Sequence, residues 1–464
     1  MPVEPIAKGS THRFQPCDVE VIRAQNLDVI LRWGFNIIRG DILQTARYGV
    51  WSYHHGDSDF YRGGPPAFWE VAEQAPVTGV VLQALSDELD GGAILARGHV
   101  PTCHALSANQ VRLEQYWHGA AFVIEKLWQL HQHGWDAVER TVSSNNFRGK
   151  RKIYRAPGNL AVAKILVPRL GGKILRRLTR GRPQVGHWRI AVRAASDVLD
   201  PARPDIAGFE WLDAPKGRFW ADPMLIEHDG GRWIFFEDFD YSAQRGQIAC
   251  APIDAAGQLG DVKEVLAPGF HLSYPFVFED KGTVYMIPES GDHATVDLYV
   301  AEQAPHRWKK VKTLLEGQHA FDVTLWVEQE RYWFFVTVAG RHRARYQLLL
   351  FSADSLMGPW RLHPENPISL DIRTARGAGP LFRHAGRLIR PAQDCSQSYG
   401  GAIRFEEITE LTDDRYASRP LGIVSPESFP NQPNMTGIHT YCRSGGLEAI
   451  DGCWLEPAQL HQQG

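Results

Sequence analysis

The chain has 464 residues, of which 44% are hydrophobic and 22% charged, with a formal net charge of −3. At roughly 100–200 residues per domain this allows two or three domains, with apolar material for more than one core. The slightly acidic balance argues against a nucleic-acid partner. The six cysteines, at 17, 103, 250, 395, 442 and 453, include no C-x-x-C pair. That excludes a zinc ribbon or disulfide scaffold, suits a reducing compartment, and leaves no metal expected. The first residues, MPVEPIAKGSTHRFQPCD, hold no apolar run of signal-peptide length, and no window approaches the ~18 continuous apolar residues of a membrane span. The expected location is cytoplasmic, with membrane association open.

In chain order, CDVEVIRAQN predicts a short helix, LDVILRWGFNII an apolar, β-leaning run and TGVVLQAL a strand. ANQVRLEQYWHGAAFVIEKLWQLHQHG carries apolar residues at helical spacing and stops at glycine, which predicts one helix. Residues 1–140 therefore read as a mixed α/β domain. From Arg148 to Arg182 the chain carries twelve Lys/Arg and no Asp/Glu. Residues 141–186 read as a basic joint, either a solvated linker or a surface that touches anionic lipid or a polyanionic glycan intermediate.

After position 187 the chain becomes strand-rich and repetitive. FWADPMLIEHDGGRWIFFED, HLSYPFVFEDKGTVYMIPES, HAFDVTLWVEQERYWFFVTV, GAGPLFRHAGRLIRPAQD and MTGIHTYCRSGGLEAIDG share one plan: a strand, a Gly/Asp-type turn and an apolar strand. Their anchors, Pro223, Pro275, Val323, Pro380 and Gly437, are 52, 48, 57 and 57 residues apart. A period near 50 with four strands per unit predicts that 187–464 is an all-β five-bladed propeller. The fifth unit ends early, so HWRIAV at 187–192 is the candidate strand that completes it and leaves no long open edge. FFEDFD, with Glu237, Asp238 and Asp240, reads as a strand end and a solvated turn.

The stretch from LDVILRWGFNII through YHHGDSDFYRGG and TGVVLQAL to SDELDGG, about residues 19–100, resembles folate-dependent formyltransferases. The resemblance implies 10-formyl-tetrahydrofolate as cofactor, with His55 and Asp90 as the catalytic pair that stabilises an oxyanion and manages the proton. It places Phe35, Ile37, Asp87 and Leu89 around the folate ring. Two departures stand out. Tyr53 occupies the family's Asn position. The family's opening βαβ half has no counterpart here, so the domain is incomplete and DVILRW becomes an edge that a partner or a second copy would cover.

Residues 218–420, through FWADPMLIE, HLSYPFVFE, YMIPES, FDVTLW, ARGAGPLF and RPAQDCSQSYG, resemble the N-terminal propeller of plant glucosamine inositolphosphorylceramide transferases. More distantly they are similar to five-bladed propellers of furanosidases and mannoside phosphorylases. The resemblance implies carboxylates from separate blades meeting at one axial pocket. Asp222, Glu289 and Asp322 are the catalytic candidates, because acids inside apolar strand ends are costly unless paired or functional. His271, Tyr274, Arg376, Arg390, Gln393, Asp394 and Tyr399 are the substrate-binding candidates; a buried salt bridge is the competing role for the two arginines. The leading expectation is a carbohydrate-active transferase of surface polysaccharide or glycolipid assembly, acting on a sugar, sugar-nucleotide or glycolipid. The rivals are a sugar N-formyltransferase and a non-catalytic glycan-binding module.

Overall fold

A computed structural model describes residues 2–102, 107–165, 167–168, 184–194, 199–290, 293–339 and 346–457. The chain divides into two compact units, Met1–Leu175 and Arg176–Gly464.

In the first unit a four-stranded sheet runs in the order Ile30–Leu31, Val50–His54, Val77–Ala84, Ala93–Pro101. The first pairing is parallel and the other two antiparallel. Ile30–Leu31 lies at the sheet's edge. LDVILRWGFNII does not form one strand. Gly34 takes a left-handed turn, and Ile37–Ile38 leaves for a separate small sheet with Ile6–Lys8 and Thr11–Arg13.

The single helix expected over 108–134 is also divided, into Ala108–Gly119 and Phe122–His133. The physical cause is Tyr53. In an unbroken helix the Val123 amide would donate to the Gly119 carbonyl. Here the Tyr53 hydroxyl stands between them, donating to Gly119 O at 2.6 Å and accepting from Val123 N at 3.1 Å. A side chain inserted into the ladder in this way breaks or bends a helix.

The second unit is all-β. Among the described residues it holds five antiparallel sheets, four of them consecutive in sequence. The first contains Arg218–His228, Gly231–Asp240, Arg245–Pro252 and Lys263–Leu266; the second contains Ser273–Asp280, Thr283–Glu289, Thr295–Gln303 and Arg307–Glu316. The third begins at Ala320–Glu328. The fourth pairs Arg376–Gly377 and Phe382–His384 with Arg387–Asp394. The fifth sheet joins the two ends of the unit. Gln184–Ala194 pairs with Leu447–Pro457 along its whole length, from Ala194 opposite Leu447 to Gln184 opposite Pro457.

The second strands are continuous apolar runs rather than alternating ones. Ile234, Phe235 and Phe236 are all buried, as are Phe334, Phe335 and Val336. Strands covered on both faces need this composition. The hairpin turns fall where Asp229, Lys281, Gln329 and Ala385 adopt positive φ.

The first strands carry the feature that builds the site. The register slips between Ala221 and Met224, between Ser273 and Phe276, and between Phe321 and Thr324. Each slip holds one left-handed non-glycine residue: Asp222, Tyr274 and Asp322. A bulge removes its amide from the ladder, so that amide needs another acceptor. In the fourth sheet the first strand is interrupted, and Gly379, at φ +123°, lies against the fifth sheet. A Cβ there would fall 2.0 Å from the Tyr441 carbonyl oxygen. Gly379→Ala is expected to lower stability by about 2 kcal/mol or more, read as a fall in the thermal midpoint; an unchanged midpoint would contradict this packing.

Candidate active site

The bulge amides find their acceptors in carboxylates of neighbouring sheets. Asp222 Oδ2 accepts from Tyr274 N at 3.1 Å, Glu289 Oε2 from Asp322 N at 3.1 Å, and Asp451 Oδ2 from Asp222 N at 3.1 Å. Three sheet boundaries are thus joined by amide-to-carboxyl hydrogen bonds. Asp222, Glu289 and Asp322 are brought together by this arrangement, each close enough to perturb another electrostatically.

Two cations offset the acids. Arg376 is 5% exposed; its Nε pairs with Asp322 Oδ2, and its Nη2 lies 3.7 Å from Glu289 Oε2. The guanidinium is walled by Phe321, Tyr346 and Tyr399, with the Tyr399 ring centre 4.8 Å away. His439 is the other cation. Its Nδ1 lies 2.5 Å from Asp451 Oδ2 and 3.7 Å from Asp222 Oδ1. Burial pushes its pKa down, but Asp451 and Asp222 outweigh burial and hold it above the ordinary value.

The surplus of acid raises several carboxyls. Burial, helped by Asp451 and Asp322 and opposed by His439, pushes Asp222 from 3.8 to about 6. Burial holds Glu289 well above its usual range, and Asp322 adds to the shift. Glu237 is raised in the same way, by burial first and then by Asp222, Glu289 and Asp451. It accepts no hydrogen bond among the described residues, and the His271 ring lies beside it, with Nε2 3.7 Å from Oε1. FFEDFD is therefore not a solvated turn throughout. Glu237 and Asp238 are buried, the latter paired with Arg218, and only Asp240 caps the turn, accepting from Ser242 N.

Aromatic rings line the same region. Trp188 stacks on His439 at 3.8 Å, and Tyr399 meets both edge-on. Tyr399 leaves 52% of its surface open, so a ring is available to a ligand beside a buried cation.

The other sequence candidates divide. Gln393 Nε2 donates to Asp322 Oδ2 at 3.0 Å and belongs to the cluster. Tyr274 does not offer its ring, because it is fully buried with its hydroxyl between Thr324 and Gly379 N. Arg390 and Asp394 alternate with Gln393 along Arg387–Asp394 and so face the other side. Arg390 donates to Thr374 O opposite Glu406, and Asp394 accepts from Arg404. Neither joins the acids.

Asp222, His439 and Asp451 offer ligand atoms within 4.8 Å of one another, a donor set that could hold a cation. Those donors are already used within the protein. Asp451 accepts three backbone amides, from Asp222, His439 and Thr440, and its second oxygen also holds the imidazole. The trio is thus satisfied without an ion.

In the first unit the expected pair does not assemble. Adjacent residues of Val50–His54 point to opposite faces, and it is His54 whose Nδ1 lies 3.3 Å from Asp90 Oδ1. Asp90 also accepts from Gly63 N at 2.8 Å. His55 packs edge-on to Tyr116, and burial together with His54 pushes its pKa to about 4, leaving a neutral ring. Gly40 N donates to Asp87 Oδ1, so the two loops expected to flank a folate do meet. Phe35, however, packs on Phe14 and Ile37 pairs with Thr11, while Leu89 is half-buried in the loop that carries Asp87 and Asp90. A cleft lined by His55, Arg62, Trp69, Glu70 and Tyr154 includes none of these four. The residues present do not fit 10-formyl-tetrahydrofolate with His55 and Asp90 as its catalytic pair.

The family described as glucosamine inositolphosphorylceramide transferase 1, N-terminal, matches residues 197–439. The chain belongs to that family. It is 30% identical over 266 residues to glucosamine inositolphosphorylceramide transferase 1 of Oryza sativa subsp. japonica, covering 56% of this chain and 35% of the relative. The corresponding protein of Arabidopsis thaliana is 33% identical over 228 residues, 48% of this chain and 30% of that one. The chain thus spans about a third of the length of the plant relatives it matches. It is also similar to a methionyl-tRNA formyltransferase of Phenylobacterium zucineum, at 24% identity over 213 residues, 46% of this chain and 66% of the relative. Among solved structures, a family 117 glycoside hydrolase of Zobellia galactanivorans matches 59% of this chain and 92% of its own, at 12% identity and a TM-score of 0.38.

The buried acids make stability depend on pH. The folded chain holds the Asp222 proton up to about pH 6, whereas the unfolded chain releases it near 3.8. That group supports the fold at low pH and withdraws support as the pH rises between these values. The raised pKa of His439 acts in the same direction, its support being lost as the pH rises through the folded value. Asp222→Asn keeps an acceptor for Tyr274 N and removes the titration. Unfolding curves at pH 4 and pH 7 should therefore differ less for the variant than for the parent. Asp451→Ala, which strips His439 and three amides of their acceptor, should cost roughly 3–5 kcal/mol at either pH.

Proposed function

We propose that the protein is a carbohydrate-active transferase of glycolipid or surface-polysaccharide assembly, and that its second unit processes a sugar at the shared carboxylate cluster. The five sheets are then the blades of a five-bladed propeller, and the first strands, with Gly231–Asp240 and Thr283–Glu289 beside them, converge on its axis. Membership of the family supports the glycolipid class, since the plant relatives are named for transfer to inositolphosphorylceramide. One observation carries the chemistry: carboxyls from separate sheets, Asp222, Glu289 and Asp322, gather around the buried Arg376, beside the exposed ring of Tyr399.

Glycosyl transfer requires a carboxyl that gives a proton to the leaving oxygen and a second group that acts as base or nucleophile. Glu237 and Glu289, whose pKa values burial raises well above the usual carboxyl range, suit the acid role. Glu237 is the stronger choice, because it takes no part in tying sheets together. Asp222, ionised above about pH 6, suits the base. Asp322 is committed to Arg376 and Gln393, and acts by orienting the guanidinium. Tyr399 provides an apolar ring face for a sugar, with the buried Trp188 packed against it.

The test compares the parent with Glu237→Gln and Asp222→Asn in the turnover of sugar-nucleotide donors with glycolipid acceptors, with near-ultraviolet circular dichroism as the check on folding. Turnover is expected to fall by about 10²-fold or more in Glu237→Gln, and the parent's rate to rise with pH through about 6. Full turnover in both variants would remove these two residues from the chemistry, and no turnover by the parent itself would leave a glycan-binding role without catalysis.

A further inference from the structure

The first unit ends in a segment whose surface chemistry is unlike the rest of the fold. The chain is pinned at Tyr154, which is buried and bonded through its amide to Arg62 O and through its carbonyl to Gly64 N. Beyond this point, none of the described residues from 155 to 168 is buried. The chain is nevertheless helical at 159–165, with Val162 N bonded to Gly158 O at 3.1 Å. The sequence there, NLAVAKILVP, has Lys164 as its one charge. Leu160 is 71% exposed and Val167 66%. Ala161, Val162 and Ile165 are half-buried on one side, while Leu160 and Val167, seven residues apart, leave a second apolar side open to solvent.

The flanks say what that solvent is. Lys150, Arg151, Lys152 and Arg155 precede the helix, and the sequence continues with Arg169, Lys173, Arg176, Arg177, Arg180 and Arg182, without an acid from 148 to 182. Lys150, Lys152, Arg155 and Lys164 are exposed. Apolar side chains between cationic blocks match the boundary between the headgroups and acyl chains of an anionic bilayer. A second copy of the chain is a poorer match, because a two-fold contact would set each basic block against itself. A soluble polyanion would engage the charges and leave Leu160 and Val167 in water. No helix among the described residues is long and apolar enough to cross a membrane, so the contact is with the surface.

We propose that residues 148–168 dock the first unit onto an anionic membrane surface, with Leu160 and Val167 inserted and the lysines and arginines facing lipid phosphates. This is independent of the sugar chemistry, since it needs no glycan.

The experiment is flotation of the full-length protein with vesicles of phosphatidylcholine alone or with roughly a quarter phosphatidylglycerol. Binding to the anionic vesicles is expected to be about tenfold tighter and to weaken with salt. Leu160→Asp with Val167→Asp should lose about tenfold at constant salt, and Lys152→Glu with Arg155→Glu should lose the preference for phosphatidylglycerol. These side chains are exposed, so thermal unfolding should be unchanged. Equal binding to both vesicles would overturn the proposal. So would heparin binding without vesicle binding, or sedimentation of the free protein as a dimer that Leu160→Asp with Val167→Asp dissolves.

Discussion

The second unit depends on a requirement of the backbone. A strand that bulges leaves an amide without a ladder partner, and a buried amide must be satisfied. Asp222, Tyr274 and Asp322 occupy such positions in successive sheets, and each amide is met by a carboxylate from the sheet before it: Asp451, Asp222 and Glu289. Asp222 does both, donating its amide to one neighbour and accepting from the next. The acids are thus structural before they are chemical. Their accumulation in one buried place is a consequence of joining sheets this way, and their raised pKa values follow from that accumulation.

This double use explains how a fold tolerates so much buried charge. Unpaired buried carboxylates would be prohibitive. Here Asp451 is neutralised by His439 and three amides, and Asp322 by Arg376 and Gln393. Glu237 and Glu289 have no equivalent cation at hydrogen-bond distance, and burial raises their pKa values well above the usual range. Of the two, Glu289 also accepts the Asp322 amide, so Glu237 is the one left over from the structural pairing and suits the proposed proton transfer.

Much of this was legible in the sequence. The period near 50 residues located four of the bulged or interrupted first strands, and the short fifth repeat pointed to 187–192 as its missing strand. The pairing partners were less visible. Glu237, in FFEDFD, looks like a strand end because three acids in four positions read as solvent-facing; only the register opposite Ala221 turns one of them inward. His439 and Asp451 lie in the last repeat, MTGIHTYCRSGGLEAIDG, yet neither is among the site residues expected from sequence. An aspartate inside the apolar run LEAIDGCWL was the available signal. In the first unit, the motif could not say which of two adjacent histidines faces Asp90, since strand neighbours point opposite ways. Tyr53, noted as a departure from the formyltransferase pattern, proved to hold two helices apart.

The claim that inter-sheet carboxylates hold the second unit together is tested most directly by amide hydrogen exchange at single residues. The amides of Asp222, Tyr274 and Asp322 should exchange at rates set by global unfolding, and Asp451→Asn should speed exchange at Asp222, His439 and Thr440 before it affects the second strands. Rapid exchange of the three bulge amides in the unmodified protein would contradict the account.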